Sequence, residues 1–205
     1  AEIRTMLANT YQNLGVYDSA ETELLKSHLI TKKVFGNKSV ETAASLKSLA
    51  LIYHYKGDYE KAENYSKESL AMLRSIEATP SFQTALLLDA YATFISDQGD
   101  LETSEKLSEE AVKIAESIKG SEDHEVADLK NNLATAYNSL NKLDEAEKLL
   151  KESNKLSPDN ARTKLRLAQV LRLKGQAEQA QELARQVLDK IPHDLDALTF
   201  LGNLY

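Results

Sequence analysis

A fixed spacing of Leu, Ala, Tyr and Gly residues constrains the fold of this chain more than any other feature of its sequence. Residues 48–63, SLALIYHYKGDYEKAE, carry the spacing most completely. The same positions recur at intervals of 42 residues and later of 34 residues. One small position illustrates the recurrence, at Ala8, Ala50, Ala92, Ala134, Ala168 and Gly202. A fixed period of this size is typical of a stack of units in which each unit buries its apolar face against its neighbours.

Each repeat predicts two helices and the tight turn between them. Apolar residues follow one another at helical spacing in the first helix, as in Ile3, Leu7 and Tyr11. We expect this helix to end at a residue with positive φ, which Gly adopts readily and Asn next best. The residues at this position are Gly15, Gly57, Gly99, Asn141 and Gly175. An acid follows three residues later, where the dipole of a second helix favours negative charge, at Asp18, Glu60, Glu102, Asp144 and Glu178.

Small residues at matching positions predict that the paired helices cross closely. On the first helices these are Ala8, Ala50, Ala92, Ala134 and Ala168, and on the second helices Ala20, Ala62, Ala146 and Ala180. The second helices of the first three units are predicted to be about two turns longer, as in 59–76. The later units close with Pro158 and Pro192, and the run Pro158-Asp159-Asn160 fits a helix stop followed by an N-cap.

We interpret residues 1–205 as a single array whose pitch changes near residue 127. The predicted units are about 1–42, 43–84, 85–126, 127–160, 161–194 and an incomplete 195–205. The last unit is expected to expose Phe200, Leu201 and Leu204. We therefore expect a fragment of a larger protein, followed by further repeats, with self-association through its last helix.

Composition narrows the possible partners. The formal net charge is −7. Because the chain has no run of Lys or Arg, we expect no nucleic-acid partner and no membrane partner. The absence of cysteine leaves the compartment unknown, with a cytoplasmic location favoured.

The repeat resembles the tetratricopeptide repeat (TPR) along essentially the whole chain. The resemblance is closest in 129–137, LKNNLATAY, and in 120–127, GSEDHEVA. The 42-residue units are similar to those of kinesin light chain and are followed by units of 34 residues. The family usually has His-Pro where this chain has His124-Glu125 or Lys38-Ser39. The resemblance implies an all-α fold, a right-handed superhelical solenoid of antiparallel helix pairs whose concave face is lined by the first helices and binds peptides or partner segments.

If the first helices line a groove, their free faces are polar and mostly uncharged. The candidate peptide-binding residues are Asn9, Asn13, Lys47, Leu51, His54, Tyr55, Asn131, Asn132, Thr135, Asn138, Arg162, Arg166 and Gln169. Asn is a poor interior helix former, so its recurrence there needs a reason. Its amide can bond both the N–H and the C=O of an extended peptide. The alternative is that these amides only solvate an exposed groove.

Two aspects of this surface stay open. The family's carboxylate clamp, carried over residue by residue, matches at Asn132, Arg162 and Arg166 but fails at Asp89 and Thr93, and Asp89 would repel a carboxylate. The two Arg residues therefore either bind a single acidic group or form a solvated pair. The recurring tyrosines are expected in the core, namely Tyr11, Tyr17, Tyr53, Tyr59 and Tyr137. Tyr55 does not recur, and with His54 and Leu51 it either provides an apolar contact for a ligand side chain or is exposed without a role.

The sequence contains no arrangement typical of an enzyme. It shows no nucleophile with a positioned base, no phosphate-binding loop and no metal-ligand spacing among its four His. We interpret His28 as a packing residue and His124 as a loop residue. The predicted function is a protein–protein interaction module without catalytic residues, cofactor or metal. The alternatives are a structural assembly or oligomerisation scaffold, or a regulatory array of an attached enzyme.

Overall fold

The computed structural model describes residues 1–203, and within this range the chain forms eleven α-helices and no strand. The helices are α1 Glu2–Asn13, α2 Tyr17–Phe35, α3 Val40–Tyr55, α4 Tyr59–Ile76, α5 Phe82–Asp97, α6 Leu101–Lys119, α7 His124–Ser139, α8 Leu143–Leu156, α9 Ala161–Leu173, α10 Ala177–Lys190 and α11 Leu195–Gly202. The predicted all-α architecture of helix pairs is confirmed.

The helices form two compact units. The first runs from Ala1 to Ile114 and the second begins at Ala115, so the boundary lies within α6. In the first unit α1 packs against α2, α2 against α3, and α3 against α4. In the second unit α7 packs against α8, α8 against α9, and α9 against α10. Within each unit these helices thus contact their sequence neighbours, as expected of a repeat stack, while the single array over residues 1–205 stays a prediction.

The turn chemistry predicted from the sequence is confirmed. Gly57 has a φ of 77° and Gly175 a φ of 78°. Asn141, with a φ of 58°, is the only non-glycine residue with positive φ in the described part of the chain. The N–H of Lys142 then donates to the Tyr137 carbonyl at 2.8 Å. This bond caps the end of α7 in the usual manner of a helix that ends in the left-handed conformation.

The close helix crossings are also confirmed. The Ala residues at both matching positions are at most 1% exposed, namely Ala8, Ala20, Ala50, Ala62, Ala92, Ala134, Ala146, Ala168 and Ala180. Ser104, at the matching position of α6, is 2% exposed. Larger side chains pack around them, and Leu49, Ile52 and Phe94 complete one core cluster of the first unit. Small residues therefore set the spacing between helices, and Leu, Ile and Phe fill the remaining volume.

The second helices are longer in the first unit, but by less than the sequence suggested. Helix α4 has 18 residues and α2 has 19, whereas α8 and α10 have 14 each. The difference corresponds to about 1.1 to 1.4 helical turns, so the prediction of two extra turns is wrong. The run Pro158-Asp159-Asn160 contains the predicted N-cap of α9, which is Asn160, and its Oδ1 accepts a hydrogen bond from the Thr163 N–H at 3.1 Å.

Two predictions about apolar side chains need correction. Tyr59 was expected in the core but is 42% exposed, because it is the first residue of α4 and lies at the rim. Phe200 was expected to be exposed, but it packs against the core of the second unit with the Arg172 guanidinium 5.9 Å from its ring centroid. Leu201 is likewise half-buried. The large exposed residues of α11 are Leu195 and Leu198.

The predicted contribution of Leu204 to the exposed end of the chain lies outside the described residues.

Candidate functional site

Two neighbouring helices of the second unit carry the polar residues that the sequence singles out. On α7, Thr135 is exposed and Asn132 is half-buried, about one turn before it. On α9, Arg162 and Gln169 are exposed and Arg166 is half-buried between them. The spacing of four and three residues places the three α9 side chains on one face of the helix.

A hydrogen-bonded contact joins these two faces. The Arg166 Nη1 atom donates to the Asn131 carbonyl oxygen at 3.1 Å and to Asn132 Oδ1 at 3.3 Å. The Thr135 hydroxyl donates to the same Asn131 carbonyl at 3.2 Å. The amide of Asn132 on α7 and the guanidinium of Arg166 on α9 therefore belong to one continuous surface.

Asn131 does not lie on this surface. Its side chain is only 3% exposed, so the prediction that it lines an open groove is wrong. The reason is geometric, because one residue rotates the side-chain direction by about 100° around the helix and turns Asn131 toward the core. Its Oδ1 atom is buried and has no hydrogen-bond partner among the described residues. Asn138 is half-buried, and its Oδ1 atom is likewise buried without a hydrogen-bond partner among the described residues.

In the first unit the candidate residues of α3 are less accessible than those of α9. Lys47, Leu51 and His54 are half-buried, and Leu51 packs against the core cluster. Burial lowers the pKa of Lys47, and the carboxylate of Asp89 opposes this effect. Of the α3 candidates only Tyr55 is well exposed, at 46%.

His54 mainly connects α3 to α5. Its ring stacks on Phe94 with 4.4 Å between the centroids, and its Nε2 lies 3.1 Å from Asp97 Oδ2. Its Nδ1 is buried without a hydrogen-bond partner in the described part of the structure. Burial lowers the pKa of His54, whereas Asp97 acts to raise it. His54 is thus a packing residue with one polar edge.

The exposed candidates of the first unit are Tyr55 and two amides. Tyr55 stacks on Tyr17 with 5.7 Å between the ring centroids and 7° between the ring planes. Asn9 and Asn13, one turn apart on α1, are both exposed. An aromatic face and exposed amides provide contacts for an apolar side chain and for a peptide backbone.

Two residues that sequence reasoning missed extend the faces of the second unit. Asp128 is exposed one turn before Asn132, and Leu173 is 51% exposed one turn after Gln169. The i, i+4 spacing to known candidates was the available signal in both cases. With Leu173, the α9 face runs from the guanidinium groups of Arg162 and Arg166 to an apolar side chain.

No cluster of possible metal ligands accompanies these surfaces, since within residues 1–203 no group of three or more His, Asp or Glu side chains could hold a metal ion. His28 Nδ1 lies 2.7 Å from Ser45 Oγ, consistent with a packing residue. His124 is the first residue of α7 rather than a loop residue, and its Nδ1 lies 3.1 Å from Ser157 Oγ. Among the described helices, none combines the length and the apolar character needed to cross a membrane.

Comparisons with known proteins agree with this geometry. A family model described as Tetratricopeptide repeat matches residues 1–75 and 83–157, and a second model with the same description matches residues 139–204. A search of curated proteins gives no match.

Several solved structures share the fold. A Podosopora anserina protein, described as a kinesin light chain with nearly identical TPR-like repeats, is 22% identical with a TM-score of 0.76, covering 91% of this chain and 92% of its own. BtubC (BKLC) from P. vanneervenii is 18% identical with a TM-score of 0.82. The match covers 94% of this chain and 81% of BtubC. YrrB, described as a TPR protein with an unusual peptide-binding site, is 16% identical with a TM-score of 0.60. The match covers 96% of this chain and 89% of YrrB.

The family models match most of the sequence. The structure agrees with them in its helix pairs, its recurring turn residues and its buried small residues at the helix crossings. The chain belongs to the tetratricopeptide repeat family, whose arrays are protein–protein interaction modules and typically non-enzymatic scaffolds.

Proposed function

We propose that the second unit binds an extended peptide segment across the exposed faces of α7 and α9. The observation that carries the proposal is the contact from Arg166 to Asn132, which makes amide and guanidinium groups from two helices into one surface. Thr135 and Gln169 flank this contact and are exposed. Together these groups offer both donors and acceptors to the main chain of a peptide.

The charge of this surface favours an acidic group in the peptide. Arg162 is exposed, and Arg166 lies one turn further along the same face of α9. A guanidinium group binds carboxylates through charge-assisted and often bidentate hydrogen bonds. Asp128 lies one turn before Asn132 on α7, as Arg162 lies one turn before Arg166 on α9, so its exposed carboxylate opposes an acid at the Arg162 end of the surface. The acidic group, either an Asp or Glu side chain or the C-terminal carboxylate, is therefore proposed to contact both guanidinium groups, which together outweigh the single carboxylate.

The first unit is proposed to bind a different feature of a partner segment. The stacked pair of Tyr55 and Tyr17 provides an apolar contact, and the exposed amides of Asn9 and Asn13 provide hydrogen bonds. An apolar side chain of the partner fits the tyrosines, because aromatic rings bury large area at low entropic cost.

A peptide array tests the proposal. Arrays of 12-residue peptides, each made with a free C-terminal carboxylate and as the amide, are probed with the wild-type chain and with Arg162→Ala. We expect peptides with an acidic group to bind the wild type and to lose about fivefold to tenfold in affinity with the variant. Arg185→Ala is the matched control, because it removes one exposed positive charge from α10 instead of α9. Equal loss with both variants would reject the α7–α9 surface.

A second candidate function is self-assembly through the last helix. It is favoured by the exposure of Leu195 and Leu198, at 76% and 46%, on α11. Exposed apolar residues of this size mark interaction surfaces when they lie together. Sedimentation of the wild type and of Leu195→Ser/Leu198→Ser separates the two functions, since only the assembly hypothesis predicts a dimer that the double variant abolishes.

A further inference from the structure

A groove of about 500 Å³ lies between α8 and α10, on a different side of α9 from Arg166. Leu167 and Leu171 of α9 line it, and each is more than a quarter turn around the helix from Arg166. Leu183 of α10 and Asn154 of α8 line it as well. We propose that this groove is a second docking site, which takes a short partner segment carrying a Leu- or Met-sized side chain next to a Lys or Arg.

The repeat itself explains why the groove is open here. In the first unit Tyr53 of α3 stacks on Tyr65 of α4 with 5.4 Å between centroids, and its hydroxyl donates to Glu21 of α2 at 2.6 Å. Counted from the turn residue of each repeat, Leu171 and Leu183 occupy the positions of these two tyrosines. Two Leu side chains lack the two aromatic rings and the hydroxyl, so the groove stays open above Leu171, which is buried, and Leu183, which is half-buried.

An unsatisfied acceptor lies in the groove. The Oδ1 atom of Asn154 is buried and has no hydrogen-bond partner within residues 1–203. By the same count from the turn residue, Asn154 stands where the first unit has His28, whose Nδ1 lies 2.7 Å from Ser45 Oγ. Thr163 matches Ser45, and its Oγ1 is also buried without a partner among the described residues. A buried acceptor without a donor costs free energy, and rotation of the half-buried Asn154 side chain toward the groove would bring its Oδ1 to a backbone N–H of a docked segment.

The rim of the groove selects the charge of the occupant. Glu178 and Glu182 of α10 are exposed along one edge. Lys151 lies on the other edge, where Glu147 already forms an ion pair with it at i, i+4 spacing. The rim is therefore acidic on balance, in a chain whose formal net charge is −7. A basic residue beside the apolar anchor complements this rim and disfavours acidic segments.

Phage display tests the proposal with the full chain as bait. A library of random 12-residue peptides is panned against the wild type and counter-selected against the double variant Leu171→Tyr/Leu183→Tyr. The double variant rebuilds in the groove the pair that the first unit already contains, so its helix content is expected to match the wild type by circular dichroism. We expect the selected peptides to carry Leu or Met adjacent to Lys or Arg. A library in which no peptide distinguishes the wild type from the double variant would overturn the proposal.

Fluorescence anisotropy with a labelled synthetic copy of the best selected peptide measures the contributions separately. We expect about tenfold weaker binding or more to Leu171→Tyr/Leu183→Tyr, and about threefold to tenfold weaker binding to Glu178→Lys/Glu182→Lys. The second variant changes only exposed side chains, so it tests the site even if the first fails to fold. Glu145→Lys, which reverses an exposed charge elsewhere on α8, is the control and should bind normally.

The remaining outcomes separate this site from the α7–α9 surface and from self-association. Binding that Arg162→Ala abolishes while the groove variants leave it intact would move the peptide to the Arg166 side of α9 and overturn the groove. A dimer in sedimentation that Leu171→Tyr/Leu183→Tyr dissociates would mean that a second copy of the chain is the occupant instead. Loss of the α7–α9 site leaves the expected result for the groove unchanged.

Discussion

The hydrogen bond between Arg166 and Asn132 joins the two helix faces of the proposed binding surface, and its strength can be measured. The donor and acceptor are 3.3 Å apart, and both side chains are half-buried. A hydrogen bond to a charged group contributes about 1.5–3 kcal/mol. Exposed charged pairs contribute only about 0.2–1 kcal/mol, because water competes with them. The long distance and partial exposure place the expected coupling free energy at about 0.5–1 kcal/mol.

A double-mutant cycle isolates this coupling. The free energy of unfolding is measured by urea denaturation for the wild type, Arg166→Ala, Asn132→Ala and the double variant. Arg166→Ala alone should cost more, about 1–2 kcal/mol, because it also removes the 3.1 Å bond to the Asn131 carbonyl. The control cycle pairs Asn132→Ala with Arg162→Ala, which removes an exposed guanidinium from the same helix face.

The cycle has a definite refuting result. Additive changes at distant sites agree within about 0.3–0.5 kcal/mol. A coupling below about 0.3 kcal/mol, or one equal to that of the control pair, would mean that the two side chains do not hold the α7 and α9 faces together.

Three further predictions concern the fold. Ala62→Leu should destabilise the chain by about 1–3 kcal/mol in urea denaturation, because Ala62 is 0% exposed at a helix crossing. Gly175→Ala should cost about 0.5–1.5 kcal/mol, because its φ is 78° although its Cβ would meet no atom within 4 Å. Gly202→Ala, at the last residue of α11, should instead gain about 0.5 kcal/mol. Burial lowers the pKa of His28 and His54, so the unfolded chain binds more protons below about pH 6.5. Their contribution to stability is full above that pH. It falls as the pH decreases below it, by at most about 1.4 kcal/mol per pH unit for each histidine. The double substitution to Asn should therefore flatten the acid limb of a melting-temperature profile.

Each of these has a contrary outcome. An unchanged midpoint for Ala62→Leu would mean that α3 and α4 do not cross closely. Equal effects of the two Gly→Ala substitutions would show that backbone conformation does not distinguish the turn from the helix. A melting temperature that rises as the pH is lowered from about 7 to about 5.5, or an acid limb unchanged in the double His variant, would contradict the role of the two buried rings.

Most of the fold was predictable because it depends on short-range signals that recur. Asn141 is an example, since its place in the period identified a turn residue although it is not glycine, and its φ is 58°. The buried Ala residues followed from the same count. The length of the second helices was harder, because the end of α4 depends on the following loop rather than on the period. Tyr59 was misplaced because position in the repeat does not determine burial at the first residue of a helix.

The binding surface was less predictable, because side-chain direction within a helix depends on a single residue of register. Asn131 and Asn132 are adjacent in sequence and equal in type, yet only Asn131 turns into the core. His54 fitted the free face by spacing, but its stacking on Phe94 depends on how α3 meets α5. The groove between α8 and α10 could have been suspected from the loss of the tyrosine pair, although its unsatisfied Asn154 acceptor is apparent only from the packed helices.

The most direct test of the central claim is a map of where a peptide binds. A ¹⁵N-labelled chain is titrated with the best acidic peptide from the array, and backbone and side-chain amide shifts are followed by nuclear magnetic resonance. If the faces of α7 and α9 form the site, the Asn132 and Gln169 amides and the neighbouring backbone of Arg166 should shift first and saturate together. Saturable shifts confined to other helices, with these residues unmoved, would contradict the claim.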